Sequence, residues 1–286
     1  MPENPPRPPW LVQRIRTDET FTKVAALVDG LALPTVCSSA HCPNLGECFG
    51  AGTATFLVLG GVCSRRCRFC AVPKGAPLPL DADEAARVAD AVATLGLRHA
   101  VITSVTRDDL ADGGAGHFAA CIEAVRRRTP ATTVEVLTPD FAGDLAAARV
   151  VFAARPDVFN HNIETVPRLY PLVRPGAEYA RSLALLAAAA HAGQALVKSG
   201  LMVGLGETPA EILAVLHDLY DAGVRAVTIG QYLRPSPDHL PVAEYVTPAA
   251  FDGYAQAARD RGFEHVAAGP LVRSSYHAAA FVGHGR

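Results

Sequence analysis

From Thr53 onward, short apolar runs alternate with longer amphipathic stretches, and this alternation constrains the fold more than any other feature. The apolar runs predict strands at 53–59, 99–105, 133–138, 158–164, 196–204 and 226–233. The amphipathic stretches predict helices at 81–95, 115–128, 143–153, 178–192, 208–222 and 247–261. Strands that alternate with helices form βαβ units and a parallel sheet. Six such units with right-handed crossovers predict an α/β fold, a partial open (β/α)6 TIM-like barrel.

The composition of the sequence predicts three parts of the chain and limits the classes of partner that it can bind. We expect an N-terminal arm and Cys-rich extension at 1–52, the barrel at 53–268 and a C-terminal tail at 269–286. The net charge of −2 provides no basic field, so neither nucleic acid nor a membrane surface is expected as a partner. Nothing at the N-terminus resembles the apolar core of a signal peptide, so we expect a cytoplasmic protein.

The cysteines are clustered, with six of the seven lying between Cys37 and Cys70. Cytosolic thiols stay reduced, so metal binding is favoured over disulfides. Cys63, Cys67 and Cys70 directly follow the first predicted strand. Three thiolates can hold three irons of a [4Fe–4S] cubane and leave the fourth iron open to a substrate. A structural zinc site or a ferredoxin-like carrier needs four ligands, so the triplet favours a cluster with one open iron.

A second triplet, formed by Cys37, Cys42 and Cys48, again lacks a fourth cysteine nearby. Two incomplete triplets in one chain favour two iron–sulfur clusters, one catalytic and one auxiliary. A small zinc knuckle completed by His41 remains an alternative. The seventh cysteine, Cys121, lies on an apolar helical face and is predicted to be a core thiol.

Polar and glycine residues gather near the carboxyl ends of the predicted strands, where β/α barrels place their functional groups. We interpret them as candidate contacts of a bound cofactor, although strand-end packing, turns, helix caps and salt bridges are alternatives. The candidates of this kind are Thr103, Asn162, Glu164, Gly204 and Glu207, and two basic residues that could pair with a carboxylate of the cofactor or the carrier, Arg174 and Lys198, are added to them.

The C-x3-C-x2-C spacing resembles the cluster motif of the radical S-adenosylmethionine (SAM) superfamily. With TVCSSAHCPNLGEC and the C-terminal RSSYHA, the chain resembles the lipoyl synthase family from about residue 30 to 280. The resemblance implies that Cys63, Cys67 and Cys70 bind the cluster that cleaves SAM. It also implies that the second triplet and Ser275, with Ser274 as the second choice, bind an auxiliary [4Fe–4S] cluster. One departure is Thr106, where family members often carry an acid or amide.

The same resemblance implies the reaction and the partners. Two sulfur atoms are inserted at C6 and C8 of a protein-bound octanoyl-lysine, and the auxiliary cluster supplies the sulfur. The implied partners are octanoylated lipoyl carrier domains (2-oxoacid dehydrogenase E2 and glycine cleavage H protein), an electron donor such as ferredoxin or flavodoxin, and an iron–sulfur carrier for cluster repair. The alternatives are a biotin synthase-like sulfur-inserting enzyme and a non-catalytic iron–sulfur electron carrier.

Overall fold

The computed structural model describes residues 5–12, 22, 55–276 and 278–281. The triplet formed by Cys37, Cys42 and Cys48 therefore lies outside the described residues. In the described part of the chain, no helix is long and apolar enough to cross a membrane.

Seven parallel strands form one sheet, and their order in the sheet is their order in the chain. The strands are β1 (Thr55–Val58), β2 (His99–Ser104), β3 (Thr133–Leu137), β4 (Val158–Asn160), β5 (Leu196–Val203), β6 (Ala226–Gln231) and β7 (His265–Gly269). Strands β1 and β7 do not pair with each other among the described residues, so the sheet is open. The predicted partial β/α barrel is confirmed.

The predicted number of six strands is wrong, because β7 adds a seventh. The sequence of β7, HVAAG, is short and contains one β-branched residue, so it lacks the apolar run that marks the other strands. The fourth strand is also shorter than its predicted range of 158–164. It ends at Asn160, and Glu164 has a φ of 66°, a left-handed backbone conformation that no strand accommodates.

The helices follow the prediction closely. They are α1 (Glu84–Thr94), α2 (Ala115–Arg128), α3 (Leu145–Ala153), α4 (Tyr170–Val173), α5 (Tyr179–Ala192), α6 (Pro209–Asp221) and α7 (Pro248–Arg261). Among the α-helices of the described residues, only the single turn α4 is absent from the predicted set. Helix α6 begins with a capping box, in which Thr208 and Glu211 each bind the other's backbone N–H, as their spacing predicts.

The end of β1 is held by a buried carboxylate. Glu84 accepts a hydrogen bond of 2.7 Å from the Leu59 N–H and a second of 2.7 Å from Nε2 of His117. Leu59 has a φ of 69°, which turns the chain out of the sheet. A Cβ on Gly114 would lie 2.4 Å from Cδ1 of Leu59, so this turn packs only against glycine. The loop that carries Cys63, Cys67 and Cys70 starts from this fixed point.

Candidate functional site

The loop after β1 closes on itself around Cys63. The Cys63 N–H donates to the carbonyl of Pro73 at 2.8 Å, and the Gly75 N–H donates to the Cys63 carbonyl at 3.0 Å. The backbone N–H of Thr106 donates to Sγ of Cys63 at 3.3 Å. Because this contact comes from the backbone, the departure from the family pattern at Thr106 does not affect it. The loop is therefore a closed unit, and one of its thiols is already held by the end of β2.

Segments from distant parts of the chain hold the remainder of this loop. The Arg68 N–H donates to the carbonyl of Val173 at 2.9 Å, and the Arg68 carbonyl accepts from the Leu240 N–H at 3.2 Å. Nε2 of His239 donates to the Cys70 carbonyl at 3.0 Å. The loop is thus tied to α4 and to the segment after β6, which places its thiols at the carboxyl ends of the strands.

The three thiols are half-buried and close enough for their charges to interact. Burial raises the pKa of Cys70 to about 11, and it also raises that of Cys67, against the opposing charge of Arg174. A metal must therefore displace a proton from these thiols when it binds. In the described part of the chain, no three His, Cys, Asp or Glu side chains surround a single-ion site. A structural zinc ion takes four protein ligands, whereas three thiolates can each bind a different iron of a cubane, so the donor count of the loop fits an iron–sulfur cluster better than a zinc ion.

Arg65, which lies between the cysteines of the loop, is engaged by carboxylates. Its Nε and Nη2 bind the two oxygens of Asp108 at 2.7 and 2.9 Å, and Nη2 lies 2.6 Å from Oδ1 of Asp140. Asp140 is buried at the end of β3, and Arg181 is its second basic neighbour at 3.5 Å. Arg65 therefore fastens the loop to the barrel.

Asn162, Glu164 and Arg174 form a polar group beside the loop. Nδ2 of Asn162 donates to Oε1 of Glu164 at 3.1 Å. Burial raises the pKa of Glu164, and the charge of Arg174 opposes that shift. The Glu164 carboxylate and the Cys67 thiol lie close enough for their charges to interact. The structure therefore brings three of the candidate cofactor residues together next to the cysteines.

Arg174 is buried, so a surface salt bridge does not account for it. Its Nη1 donates to the carbonyl oxygens of Asn162 and Ile163 at 3.0 and 3.1 Å and to the hydroxyl of Tyr170 at 3.1 Å. Its Nε is buried without a hydrogen-bond partner among the described residues. A buried, unpaired donor on a cation fits an anionic ligand such as the carboxylate of an amino acid.

The other four candidate contacts already have partners within the protein. The Thr103 hydroxyl donates to the carbonyl of Leu137 at 2.8 Å. Lys198 is fully buried against Glu135, with Nζ–Oε1 at 2.9 Å.

Gly204 and Glu207 complete a turn after β5. A Cβ on Gly204 would lie 2.1 Å from Nε2 of Gln231, so packing within the protein accounts for this glycine. The Glu207 carboxylate accepts from the backbone N–H groups of Gly204 and Leu205. The structure thus shows Glu207 bound to the turn that precedes α6.

The two serines of the tail have different surroundings. The Ser274 hydroxyl accepts from Nδ2 of Asn160 at 2.9 Å and donates to Oδ1 of Asn162 at 3.0 Å. The Ser275 hydroxyl is half-buried and has no hydrogen-bond partner within the described residues. Within the described residues, Ser275 is therefore the serine of the tail whose hydroxyl is not already engaged, and its role as a ligand stays a prediction.

Sequence reasoning missed three contributors to the site. Asp140 and His239 hold the cysteine loop, and Glu135 neutralises Lys198. Asp140 and His239 lie in irregular segments, where no periodicity marks a buried partner. Glu135 could have been predicted to form a buried ion pair, because a carboxylate in the middle of an apolar strand needs a buried cation.

Comparison with known proteins agrees with this geometry. Residues 57–219, more than half of the chain, match the family model described as Radical SAM superfamily, so the chain belongs to that superfamily. It is 56% identical over 273 residues to the lipoyl synthase of Rubrobacter xylanophilus, covering 95% of this chain and 85% of that protein. It is 57% identical over 275 residues to the lipoyl synthase of Oleidesulfovibrio alaskensis, covering 96% and 94%. Within the superfamily, the chain belongs to the lipoyl synthase family.

Solved structures support the fold. Streptococcus suis SuiB bound to S-adenosylmethionine has a TM-score of 0.58 at 10% identity, covering 78% of this chain and 54% of that chain. HydG, a maturase of the [FeFe]-hydrogenase, has a TM-score of 0.57 at 15% identity, covering 85% and 61%. The family assignment confirms the prediction of an enzyme, a sulfurtransferase, and it does not favour the electron carrier or the biotin synthase-like alternative.

Proposed function

We propose that the chain inserts two sulfur atoms, at C6 and C8, into an octanoyl chain attached to a lysine of a carrier protein. The observation that carries the proposal is the loop of three half-buried thiols, Cys63, Cys67 and Cys70, placed beside Asn162 and Glu164 at the carboxyl ends of the strands. Because an unactivated C–H bond has no acidic proton, a general base cannot start this reaction at neutral pH. Radical chemistry is therefore required.

The residues of the loop fit a [4Fe–4S] cluster by donor type and by count. When bound, this cluster with SAM supplies a radical able to remove hydrogen, and an auxiliary cluster supplies the sulfur. The protein's part is to hold three thiolates in a fixed loop and to leave one coordination position open. The Thr106 N–H, which donates to Sγ of Cys63, orients that ligand.

The neighbouring polar group fits the amino-acid end of SAM. Glu164 offers a carboxylate to an ammonium or to ribose hydroxyls, and Asn162 orients it. The unpaired Nε of Arg174 offers a donor to a carboxylate. Four further candidates stay in the proposal as residues that shape this side of the barrel rather than as contacts of SAM: Thr103, Lys198, Gly204 and Glu207.

The second cluster is proposed from the other triplet. Cys37, Cys42 and Cys48 supply three thiolates, and Ser275 supplies a fourth, oxygen ligand. Support comes from the Ser275 hydroxyl, which none of the described residues engages. An oxygen ligand is a hard partner for iron and is released more readily than a thiolate, which suits a cluster that gives up its sulfide.

The proposed partners follow from this chemistry. The substrate is an octanoylated lipoyl domain, such as that of a 2-oxoacid dehydrogenase E2 or the glycine cleavage H protein. A low-potential donor such as ferredoxin or flavodoxin reduces the enzyme, and an iron–sulfur carrier restores the consumed cluster. These partners and the expected cytoplasmic location are parts of the proposal.

An anaerobic experiment tests the proposal directly. The protein is reconstituted, its iron and sulfide are counted, and reductant, SAM and an octanoylated lipoyl-domain peptide are added. About eight irons per chain, as two [4Fe–4S] clusters hold, with 5′-deoxyadenosine and dithiolated peptide, is the expected result. The matched control is Cys121→Ala, which removes a buried core thiol and keeps both clusters. Cleavage of SAM with untouched peptide would refute the substrate, and a loaded, reducible protein that leaves SAM intact would refute the radical chemistry.

A further inference from the structure

The C-terminal turn that carries Ser275 is joined to the barrel through its neighbour, Ser274. The Ser274 hydroxyl uses both of its hydrogen-bonding functions, accepting from Nδ2 of Asn160 at 2.9 Å and donating to Oδ1 of Asn162 at 3.0 Å. Both asparagines belong to the end of β4 and the residues that follow it. One hydroxyl of the tail therefore bridges two fixed side chains of the barrel.

The bridge continues inward to a buried ion pair. Nδ2 of Asn160 also donates to Oε1 of Glu135 at 2.9 Å, and Nζ of Lys198 donates to the same oxygen at 2.9 Å. The side chains of Glu135 and Lys198 are fully buried. A buried charge pair holds its hydrogen-bond partners in one geometry, because any displacement leaves a charge without compensation. Asn160 is thus a rigid support for Ser274.

The bridge also continues outward to the candidate SAM site. Asn162 accepts from Ser274 through Oδ1 and donates through Nδ2 to Glu164 at 3.1 Å. A Cβ on Gly200 would lie 2.9 Å from Oδ1 of Asn162, so a glycine at position 200 leaves the room that the Asn162 side chain occupies. The tail, the buried pair and the cofactor side of the barrel therefore share one network of hydrogen bonds.

Two further contacts fix the tail on either side of Ser275. Before it, the carbonyl oxygen of Val272 would lie 2.2 Å from a Cβ on Gly230, so the tail passes directly over the backbone of β6. After it, the ring of Phe281 lies under Nζ of Lys198, 4.4 Å from the ring centroid. Lys198 therefore binds the tail twice, through Phe281 and through the path from Glu135 to Ser274.

We propose that Ser274 is a positioning residue, whose two hydrogen bonds hold the turn so that the Ser275 oxygen is presented to the iron of the auxiliary cluster. This inference rests on the proposed function, in which Ser275 is that ligand. A serine oxygen is a weak partner for iron beside thiolates, so it cannot by itself supply the free energy needed to order a chain end. The ordering must come from contacts within the protein, and the Ser274 network provides them.

The test compares four full-length variants: Ser274→Ala, Ser274→Thr, Ser275→Ala and Thr94→Ala. Hydrogen–deuterium exchange of the tail is measured on the chain before reconstitution, and iron is counted after it. For Ser274→Ala we expect about tenfold faster exchange of the tail amides, since two hydrogen bonds are lost, and a loss of up to half of the iron. Ser274→Thr keeps the hydroxyl and should restore both values towards those of the parent chain.

Ser275→Ala separates the inference from the proposed function. It should lose iron in the same way while its tail exchanges at the parent rate, because its hydroxyl bonds nothing among the described residues. Thr94→Ala removes an exposed hydroxyl at the end of α1 and should change neither value. Parent-like exchange or a full complement of iron in Ser274→Ala would overturn the inference. Full iron in Ser275→Ala would instead refute the assignment of Ser275 as a ligand. Ser274 would then have no ligand to position, whatever the exchange rate of the tail amides.

Discussion

Nη2 of Arg65 lies 2.6 Å from Oδ1 of Asp140, and this contact joins the cysteine loop to the end of β3. Burial alone raises the pKa of Asp140, but the hydrogen bond and charge of Arg65 outweigh it and hold that pKa below its ordinary value. The pair therefore stabilises the fold above the unfolded pKa of Asp140, and that stability is lost as the pH falls through the folded value. Arg65, which lies between Cys63 and Cys67 in the chain, thus fixes the cysteine loop to the barrel.

Replacing Arg65 with methionine should destabilise the chain by about 3 kcal/mol, because the only basic group left near the buried Asp140 is then Arg181, at 3.5 Å. Urea unfolding of the iron-free protein measures the loss. Arg66→Met is the matched control, since Arg66 is exposed in the same loop and should change stability by no more than about 0.5 kcal/mol. Equal effects of the two substitutions would contradict the role of Arg65.

Local sequence patterns predict the strands, the helix starts and the cysteine loop, because each of these depends on residues that are close together in the chain. Apolar runs mark six of the seven strands, and the capping pair of Thr208 and Glu211 marks the start of α6. The thiols of the cysteine loop and the position of Asn162 at a strand end follow in the same way.

The rest of the site depends on contacts between residues far apart in the chain. Ser274 and Asn162 are 112 positions apart, and no local pattern indicates that they meet. The same holds for Arg65, whose partner Asp140 lies beyond β3, far along the chain. Once the chain has folded, such partners are decided by which loops lie next to one another at the carboxyl ends of the strands, so only a three-dimensional arrangement reveals them.

His161 should make the fold sensitive to mild acid. Burial, assisted by the charge of Arg174, lowers the pKa of His161 to about 4 from 6.5. Nδ1 donates to the carbonyl of Thr138 at 2.8 Å, and Nε2 accepts from Ser182 at 3.0 Å, so the neutral ring fits its site. A His with a lowered folded pKa stabilises the fold above the unfolded pKa and loses that contribution as the pH falls to the folded value. Between pH 6.5 and 4 the loss is about 3 kcal/mol.

The measurement is the free energy of unfolding of the iron-free chain as a function of pH. His161→Asn should be less stable at pH 7, by about 1–3 kcal/mol for the altered hydrogen bonds. Its stability should then change less than that of the parent chain between pH 6.5 and 4. An unchanged slope in this window would rule out His161 as its source.

The ion pair of Glu135 and Lys198 should make the free energy of unfolding depend on pH in a lower range than His161 does. Burial alone raises the pKa of Glu135, but the charge of Lys198 outweighs it and lowers the value to about 2 from 4.5. This contribution is complete above pH 4.5 and is lost between pH 4.5 and 2, and it amounts to about 3 kcal/mol.

Single substitutions in this pair should cost more than the double substitution. Lys198→Met leaves the buried carboxylate of Glu135 with only His99, at 3.4 Å, as a basic neighbour, and Glu135→Leu leaves a buried ammonium, so each should destabilise by about 3–5 kcal/mol. In the double variant no buried charge remains, and the loss should be well below the sum of the two single losses. A double-mutant cycle in urea measures the coupling, and additive losses would show that the two side chains act independently.

Glycine at position 230 should be required for docking of the C-terminal tail. A Cβ there would lie 2.2 Å from the carbonyl oxygen of Val272, a backbone atom that can move only if the tail moves. Gly230→Ala should therefore release the tail, raise its exposure to proteases and lower stability by about 1–3 kcal/mol. Gly253→Ala is the matched control, because a Cβ at that position in α7 meets nothing within 4 Å. There alanine should stabilise the helix by about 0.5–1 kcal/mol, since it loses less backbone entropy on folding than glycine does. If both substitutions left the rate of tail proteolysis at the parent value, the tail would not depend on its approach to β6.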